Sequence, residues 1–176
     1  LRRPVADGPL DVLDVEATVK ATANQGFFLE PIYKRRESNH SHLILLVDQG
    51  GSMAPLHRFT RDLVETAENE GGLERVETYY FHNVPSESYF LDAHLTRRIP
   101  AGHALAQAGL DTSILIVSDA GAARGFRRMD RIQATARFIV NLKRHTSMVA
   151  WLNPMPPARW LDSSAQFIEQ MVKHMY

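Results

Sequence analysis

Two rhythms of apolar positions alternate along the chain. His42–Val47 contains an unbroken aliphatic run from Leu43 to Val47, as expected of a strand covered on both faces. Polar Asp48-Gln49-Gly50-Gly51-Ser52 stops it. Leu56, Phe59, Leu63 and Ala67 then recur at spacings of 3, 4 and 4, a helical stripe that Gly71-Gly72 closes. Val76–Phe81 reads as the next strand, Asn83–Glu87 as a turn, and Ser88–Leu91 as a short antiparallel edge strand. Pro100–Ala108 reads as a helix ended by Gly109. Ser113–Ser118 is a second buried strand, stopped by Asp119 and a glycine-containing loop that runs through Arg127. Ile132, Thr135, Ile139 and Leu142 predict a long helix, and Met148–Leu152 a strand stopped by Asn153-Pro154. Phe167, Ile168, Met171, Val172 and Met175 lie on one stripe of a last helix, with Asp162 or Ser163 as its cap.

The first part of the chain is different. Leu1–Leu10 holds two prolines, a glycine and two arginines and reads as an arm. Asp14 stands ahead of a short helical pattern, Val15 and Val19, that ends near Gly26. Phe27–Tyr33 is extended, with Pro31 favouring an edge position, and Lys34–Asn39 is a polar link. The expected organisation is an N-terminal arm with a short helix and an edge segment over residues 1–42, then an α/β domain over 43–176. Alternating strands and helices predict a three-layer, doubly wound, mostly parallel sheet with one antiparallel edge strand and helices on both faces. In such sheets ligands bind beyond the carboxyl ends of the strands, where the strand order reverses. Two buried strands end in aspartate followed by a glycine loop, which brings Asp48 and Asp119 to the same edge.

Length and charge narrow the function. A chain of 176 residues is expected to form one domain. Lys+Arg and Asp+Glu are both 20, so the net charge is zero, which argues against a generic nucleic-acid or anionic-membrane binder. No apolar run approaches the ~20 residues of a membrane span. Cysteine is absent, which excludes disulfides, thiolate metal sites and cysteine nucleophiles and fits a reducing, cytoplasmic setting. The chain opens at Leu1 with no basic-then-apolar leader and is read as a processed chain or a piece of a longer one.

Two neighbouring carboxylates repel unless a cation is shared between them. Hard oxygen ligands suit Mg²⁺, Mn²⁺ or Ca²⁺. Ser52 lies four residues after Asp48 across a turn that Gly50 and Gly51 permit. Asp48, Ser52 and Asp119 therefore read as an open three-ligand site, its remaining positions taken by water or a partner's oxygen. Plainer readings stand beside this one: Asp48 accepting backbone N–H groups from the glycine turn, Ser52 capping a helix, Asp119 capping its loop. Arg124, Arg127, Arg128 and Arg131 read as a solvated face, with an acidic-partner contact as the second reading. His40 and His42 share a face and His82 ends a strand, but no His-Glu-x-x-His spacing occurs; His57, near the loop, is the histidine to follow. Trp151 and Trp160 read as packing residues.

Leu45-Leu46-Val47-Asp48-Gln49-Gly50-Gly51-Ser52-Met53 resembles the metal-ion-dependent adhesion site of von Willebrand factor A (VWA) domains, whose first motif is Asp-x-Ser-x-Ser. Ile116-Val117-Ser118-Asp119-Ala120-Gly121 is similar to the family's later strand ending in the second metal-site aspartate. The resemblance runs from about Leu43 to the C-terminus. Trp151-Leu152-Asn153-Pro154 with Trp160 and the last helix, and the leading Leu13–Val19 segment, resemble the CoxE-like subgroup, which is associated with MoxR-type AAA+ ATPases. The resemblance implies a non-enzymatic, cytoplasmic interaction module. Its bound Mg²⁺ (or Mn²⁺ or Ca²⁺) would accept a carboxylate from a MoxR-type ATPase or its client. Gln49, Met53, His57 and Arg124 are then the candidate partner contacts. Two departures stand out: Gly50 replaces the first motif serine, and Ile99 falls at the family's threonine, with Thr96 three residues earlier as the possible substitute. Thr112 sits at the wrong end of its strand. Two other functions are weighed. One is a metal-free scaffold with a decayed site. The other is a metal-dependent hydrolase or phosphotransferase, which Gly50 in place of a second carboxylate and the lack of a Gly-x-x-x-x-Gly-Lys-Ser/Thr loop disfavour.

Overall fold

The computed structural model describes residues 4–27, 30–39, 41–69, 73–85, 87–109, 111–172 and 174–176. The chain divides into two units, one within residues 2–40 and one over residues 41–176. The smaller holds β1 (Pro4–Val5), β2 (Leu10–Leu13), α1 (Val15–Gln25), β3 (Tyr33–Arg35) and β4 (Ser38–Asn39). β1 pairs with β4 and β2 with β3, both antiparallel. Strands thus stand in parts of the expected arm and polar link. Asp14 caps α1 by accepting the Ala17 N–H at 2.9 Å, and Gly26 ends the helix at φ 78°. Leu10, Val15 and Val19 remain exposed.

The larger unit contains β5 (His42–Asp48), α2 (His57–Asn69), β6 (Arg75–Phe81), β7 (Ser88–Phe90), β8 (Arg98–Pro100), α3 (Ala101–Ala104), β9 (Thr112–Val117), α4 (Met129–His145), β10 (Met148–Leu152), α5 (Ser164–Met171) and β11 (His174–Met175). One seven-stranded sheet runs β11-β10-β9-β5-β6-β7-β8. Every pairing is parallel except the two made by β7. Alternation along β5 sorts the core into two layers. Ile44 and Leu46 join Ile114, Ile116, Phe138, Leu142 and Ile168 on the face of α4 and α5. Leu43, Leu45 and Val47 join Met53 and Val64 on the face of α2. The domain is a three-layer α/β fold.

Details differ from the pattern-based expectation. The antiparallel β7 is not outermost; Arg98–Pro100, which takes in only the first residue of the expected Pro100–Ala108 helix, adds β8 outside it, and α3 spans only Ala101–Ala104. Met175 leaves the helical stripe and joins β11. There Tyr176 N–H donates to Trp151 O at 2.9 Å and Asn153 N–H donates to Tyr176 O at 2.8 Å, since the bare edge of β10 offers backbone groups that a further helical turn would leave unpaired. In α2, Phe59 faces solvent and Thr60 and Val64 are buried. His40, Gly71-Gly72 and part of Phe27–Tyr33 lie outside the described residues. Among the described residues, no helix is long and apolar enough to cross a membrane.

Candidate functional site

β5 and β9 are neighbours, with Val47 opposite Val117. From β5 the chain passes through α2 to β6 on one side, while β9 lies on the other, so the strand order reverses here. Asp48 shares the parity of Ile44 and Leu46 and faces α4; Ser118, one residue past β9, shares the parity of Ile114 and Ile116. The two meet: Ser118 Oγ donates to Asp48 Oδ2 at 2.7 Å. Asn83 N–H, from the turn after β6, donates to Asp48 Oδ1 at 2.9 Å. Asp119 turns onto its own loop, where Oδ1 accepts Gly121 N–H at 3.0 Å and Oδ2 accepts Ala123 N–H at 3.1 Å. Trp151 Nε1 donates to Ser118 O, and Asn153 Nδ2 to Asp119 O. Both carboxylates are buried, at 3 % exposure for Asp48 and 0 % for Asp119.

A cation does stand between them, and it belongs to the chain. Arg131, 6 % exposed, places Nη2 3.6 Å from Asp119 Oδ1 and 3.9 Å from Asp48 Oδ2. These are ion-pair distances rather than hydrogen bonds. The same Nη2 donates to Asn83 O at 3.1 Å. The solvated-face reading of Arg131 is therefore corrected. The α4 stripe extends back one turn, so that Arg131 joins Thr135, Phe138 and Leu142 on the buried side. Two buried carboxylates and one guanidinium leave one negative charge in excess. Burial pushes the Asp48 carboxyl above its ordinary pKa, Asp119 adds to the shift, and Ser118, Asn83 and Arg131 oppose it.

This arrangement does not fit a divalent cation. Mg²⁺ needs oxygens converging at about 2.1 Å, whereas the centre here is a guanidinium nitrogen and all four carboxylate oxygens are already in hydrogen bonds or ion pairs. Among the described residues, no group of three or more His, Asp or Glu side chains offers an ion site elsewhere either. Ser52 is half-buried in a 3-10 turn, Gly51–Leu56; α2 begins at His57, so Ser52 does not cap it. Thr96 is not brought to the site, because its hydroxyl donates to Asp92 at 3.0 Å. Asp119 does hold its own loop. The backbone donor to Asp48 comes from Asn83 rather than from the glycine turn. Gly50 is accounted for locally. Its φ of 78° and ψ of −175° suit glycine alone, and a Cβ there would lie 3.2 Å from His82 Nδ1, the nitrogen that donates to Gln49 O at 2.7 Å.

Of the expected partner contacts, Met53 is corrected to a core residue, 1 % exposed and packed with Leu45, Val47 and Val64. Gln49 is also buried, although it lines a cavity of about 440 Å³ together with exposed His57. Arg124 is exposed and donates to Asn83 Oδ1 at 3.2 Å. It lines a second cavity of about 400 Å³ with His82, Arg128 and Arg131. Sequence reasoning missed the roles of Arg131, Ser118 and Asn83. The spacing of Arg131 from Thr135, Phe138 and Leu142 was the available signal for the first, and strand parity for the second. The sequence marked Asn83 only as the first residue of a turn, not as a contact of this site.

The fold and this edge define a doubly wound α/β domain whose switch point carries an internally paired carboxylate–guanidinium centre. Comparison of the chain with protein-family models, with curated proteins and with solved structures gives no match.

Proposed function

We propose that the chain is a non-enzymatic interaction module of VWA-like type, working without a bound metal as a cytoplasmic adaptor for a MoxR-type AAA+ ATPase or its client. The observation that carries this reading is Arg131 held between Asp48 and Asp119. The position a metal would need is filled by a guanidinium that is buried and already engaged by Asp48 and Asp119, so it is not open to a partner's carboxylate and does not activate water. This favours the metal-free alternative over the metal-bridged contact that the resemblance implies. The partner's acidic group would instead meet the exposed guanidinium of Arg124. Arg124 has no carboxylate partner among the described residues, whereas Arg127 pairs with Asp162 and Arg128 with Asp130.

The test is association of the full chain with a MoxR-type ATPase in nucleotide-free buffer. Binding that is unchanged by EDTA and weakened about tenfold or more by Arg124→Glu, chiefly through its electrostatic component, supports the reading. Binding abolished by EDTA returns the metal-bridged mode. Absence of any association ends the adaptor reading.

A further inference from the structure

The cavity beside Gln49 lies on the other face of the sheet from Arg131, between α2 and the strands. It measures about 440 Å³, within the roughly 300–1,000 Å³ of small-ligand sites. Strand parity directs side chains into it from two neighbouring strands. Gln49 continues the alternation of Leu45 and Val47 toward α2, and Tyr80 on β6 shares the parity of Val76. The backbone of Gln49 is fixed, its N–H donating to Phe81 O at 2.8 Å and its C=O accepting His82 Nδ1 at 2.7 Å. The residue is only 5 % exposed, yet its carboxamide, which reaches the cavity, has no hydrogen-bond partner among the described residues. Buried Thr60, also in the lining, gives its hydroxyl to His57 O at 3.1 Å. Buried polar side chains are ordinarily paired, so Gln49 holds out a donor and an acceptor to whatever enters.

Charge sets the sign of that ligand. Glu65 and Glu68, three residues apart on α2, both line the cavity, and neither has an ion-pair partner among the described residues. Burial first, and then the charges of Glu68 and Asp92, push the Tyr80 hydroxyl above its ordinary pKa, so the field at this wall is negative. Arg61, exposed in the same lining, is the one opposing charge there. Among the described residues the glutamates are not grouped with a further His, Asp or Glu to hold a metal ion; a larger, organic cation matches them better. A guanidinium is more weakly hydrated than an ammonium, carries five donors and stacks on aromatic faces. Tyr80 supplies the ring, Glu65 and Glu68 the charged acceptors, and Gln49 a buried carbonyl oxygen. We propose that this cavity is a binding site for a guanidinium on an aliphatic stem, supplied by an arginine side chain of another protein or by a small free guanidine. The site does not rest on the adaptor reading and stands or falls separately from it.

The experiment titrates the full chain with the capped peptide acetyl-Gly-Arg-Gly-amide, with its citrulline and lysine counterparts, and with ethylguanidinium. Binding is read by calorimetry and by the nuclear magnetic resonance signal of the Gln49 side-chain amide. The arginine peptide is expected to bind with a Kd of about 1 mM, to shift the Gln49 signal, and to bind more weakly in high salt. The citrulline peptide, which keeps the shape and loses the charge, should bind about tenfold more weakly, and the lysine peptide should also fall below arginine. Glu65→Gln and Glu68→Gln change exposed residues, so both variants are expected to melt like the wild type while binding the arginine peptide several-fold more weakly. Arg61→Gln should tighten binding. A peptide that binds more tightly than ethylguanidinium identifies a protein side chain as the ligand, and equal affinity identifies a small free guanidine; either supports the site. An unmoved Gln49 signal at tens of millimolar peptide overturns the proposal. So do equal binding of the citrulline peptide, folded glutamate variants that bind as the wild type does, and a loss of affinity in Arg61→Gln, the mark of an anionic ligand.

Discussion

Replacing Arg131 by methionine removes its charge while keeping much of its apolar bulk, so the loss it causes is electrostatic before it is one of packing. Removing one partner of a buried ion pair costs about 3–5 kcal/mol, because the other charge is left uncompensated. Here two carboxylates at 3 % and 0 % exposure lose the same partner, and Asn83 O loses its donor. Arg131→Met is therefore expected to cost about 4 kcal/mol at neutral pH. With a urea m-value of about 2 kcal/mol/M, the unfolding midpoint should fall by roughly 2 M. Asp48→Asn alone should cost under about 1 kcal/mol. It leaves a neutral Arg131–Asp119 pair and retains an acceptor for Asn83 N–H. The double variant should be more stable than the sum of the single losses implies, with a coupling of about 1–3 kcal/mol.

The pH dependence follows from the same site. The folded-state pKa of Asp48 lies above its ordinary 3.8, so the folded chain binds more protons between those values and loses stability as pH rises through them. Without Arg131 an opposing influence is gone, the window extends upward, and the penalty of Arg131→Met is larger at neutral than at acidic pH. Urea titrations of the four proteins at several pH values test this. A midpoint change near zero, strict additivity, or a penalty that grows on acidification would refute the reasoning.

Three further outcomes are expected. Gly50→Ala should lose about 1–3 kcal/mol, since the backbone at φ 78°, ψ −175° excludes a side chain and His82 Nδ1 stands 3.2 Å from the new Cβ; thermal melting against the wild type measures it. Tyr89→Phe should be neutral or stabilising by up to about 1 kcal/mol, because the buried Tyr89 hydroxyl has no hydrogen-bond partner among the described residues. A clear loss in denaturant melts would show that the hydroxyl is satisfied after all. Asp14→Ala should weaken α1 by about 1 kcal/mol through loss of its cap, seen as faster amide exchange over Val15–Gln25 with little change in the strands of the larger sheet.

The sequence by itself determined the three layers and the two strand ends. The run Leu43–Val47 and the run within Ser113–Ser118 are short, wholly apolar and stopped by polar, glycine-containing loops, the pattern of central parallel strands, and in such a sheet the residues that stop them fall at one edge. Those statements rest on local periodicity, which a chain carries in its residue order. Only the tertiary structure decided what sits between Asp48 and Asp119. Arg131 follows Asp119 by twelve residues and reads as one of several loop arginines until α4 packs and turns it inward. Asn83 clamps the pair from a turn that the sequence marks only as a connection between strands. The edge strands β8 and β11 were decided in the same way, by backbone groups left bare on a neighbouring strand. The sequence carries the aspartates and the arginine alike, but a charge's partner is set by distance in space, and that distance exists only once three separate segments have converged on one point.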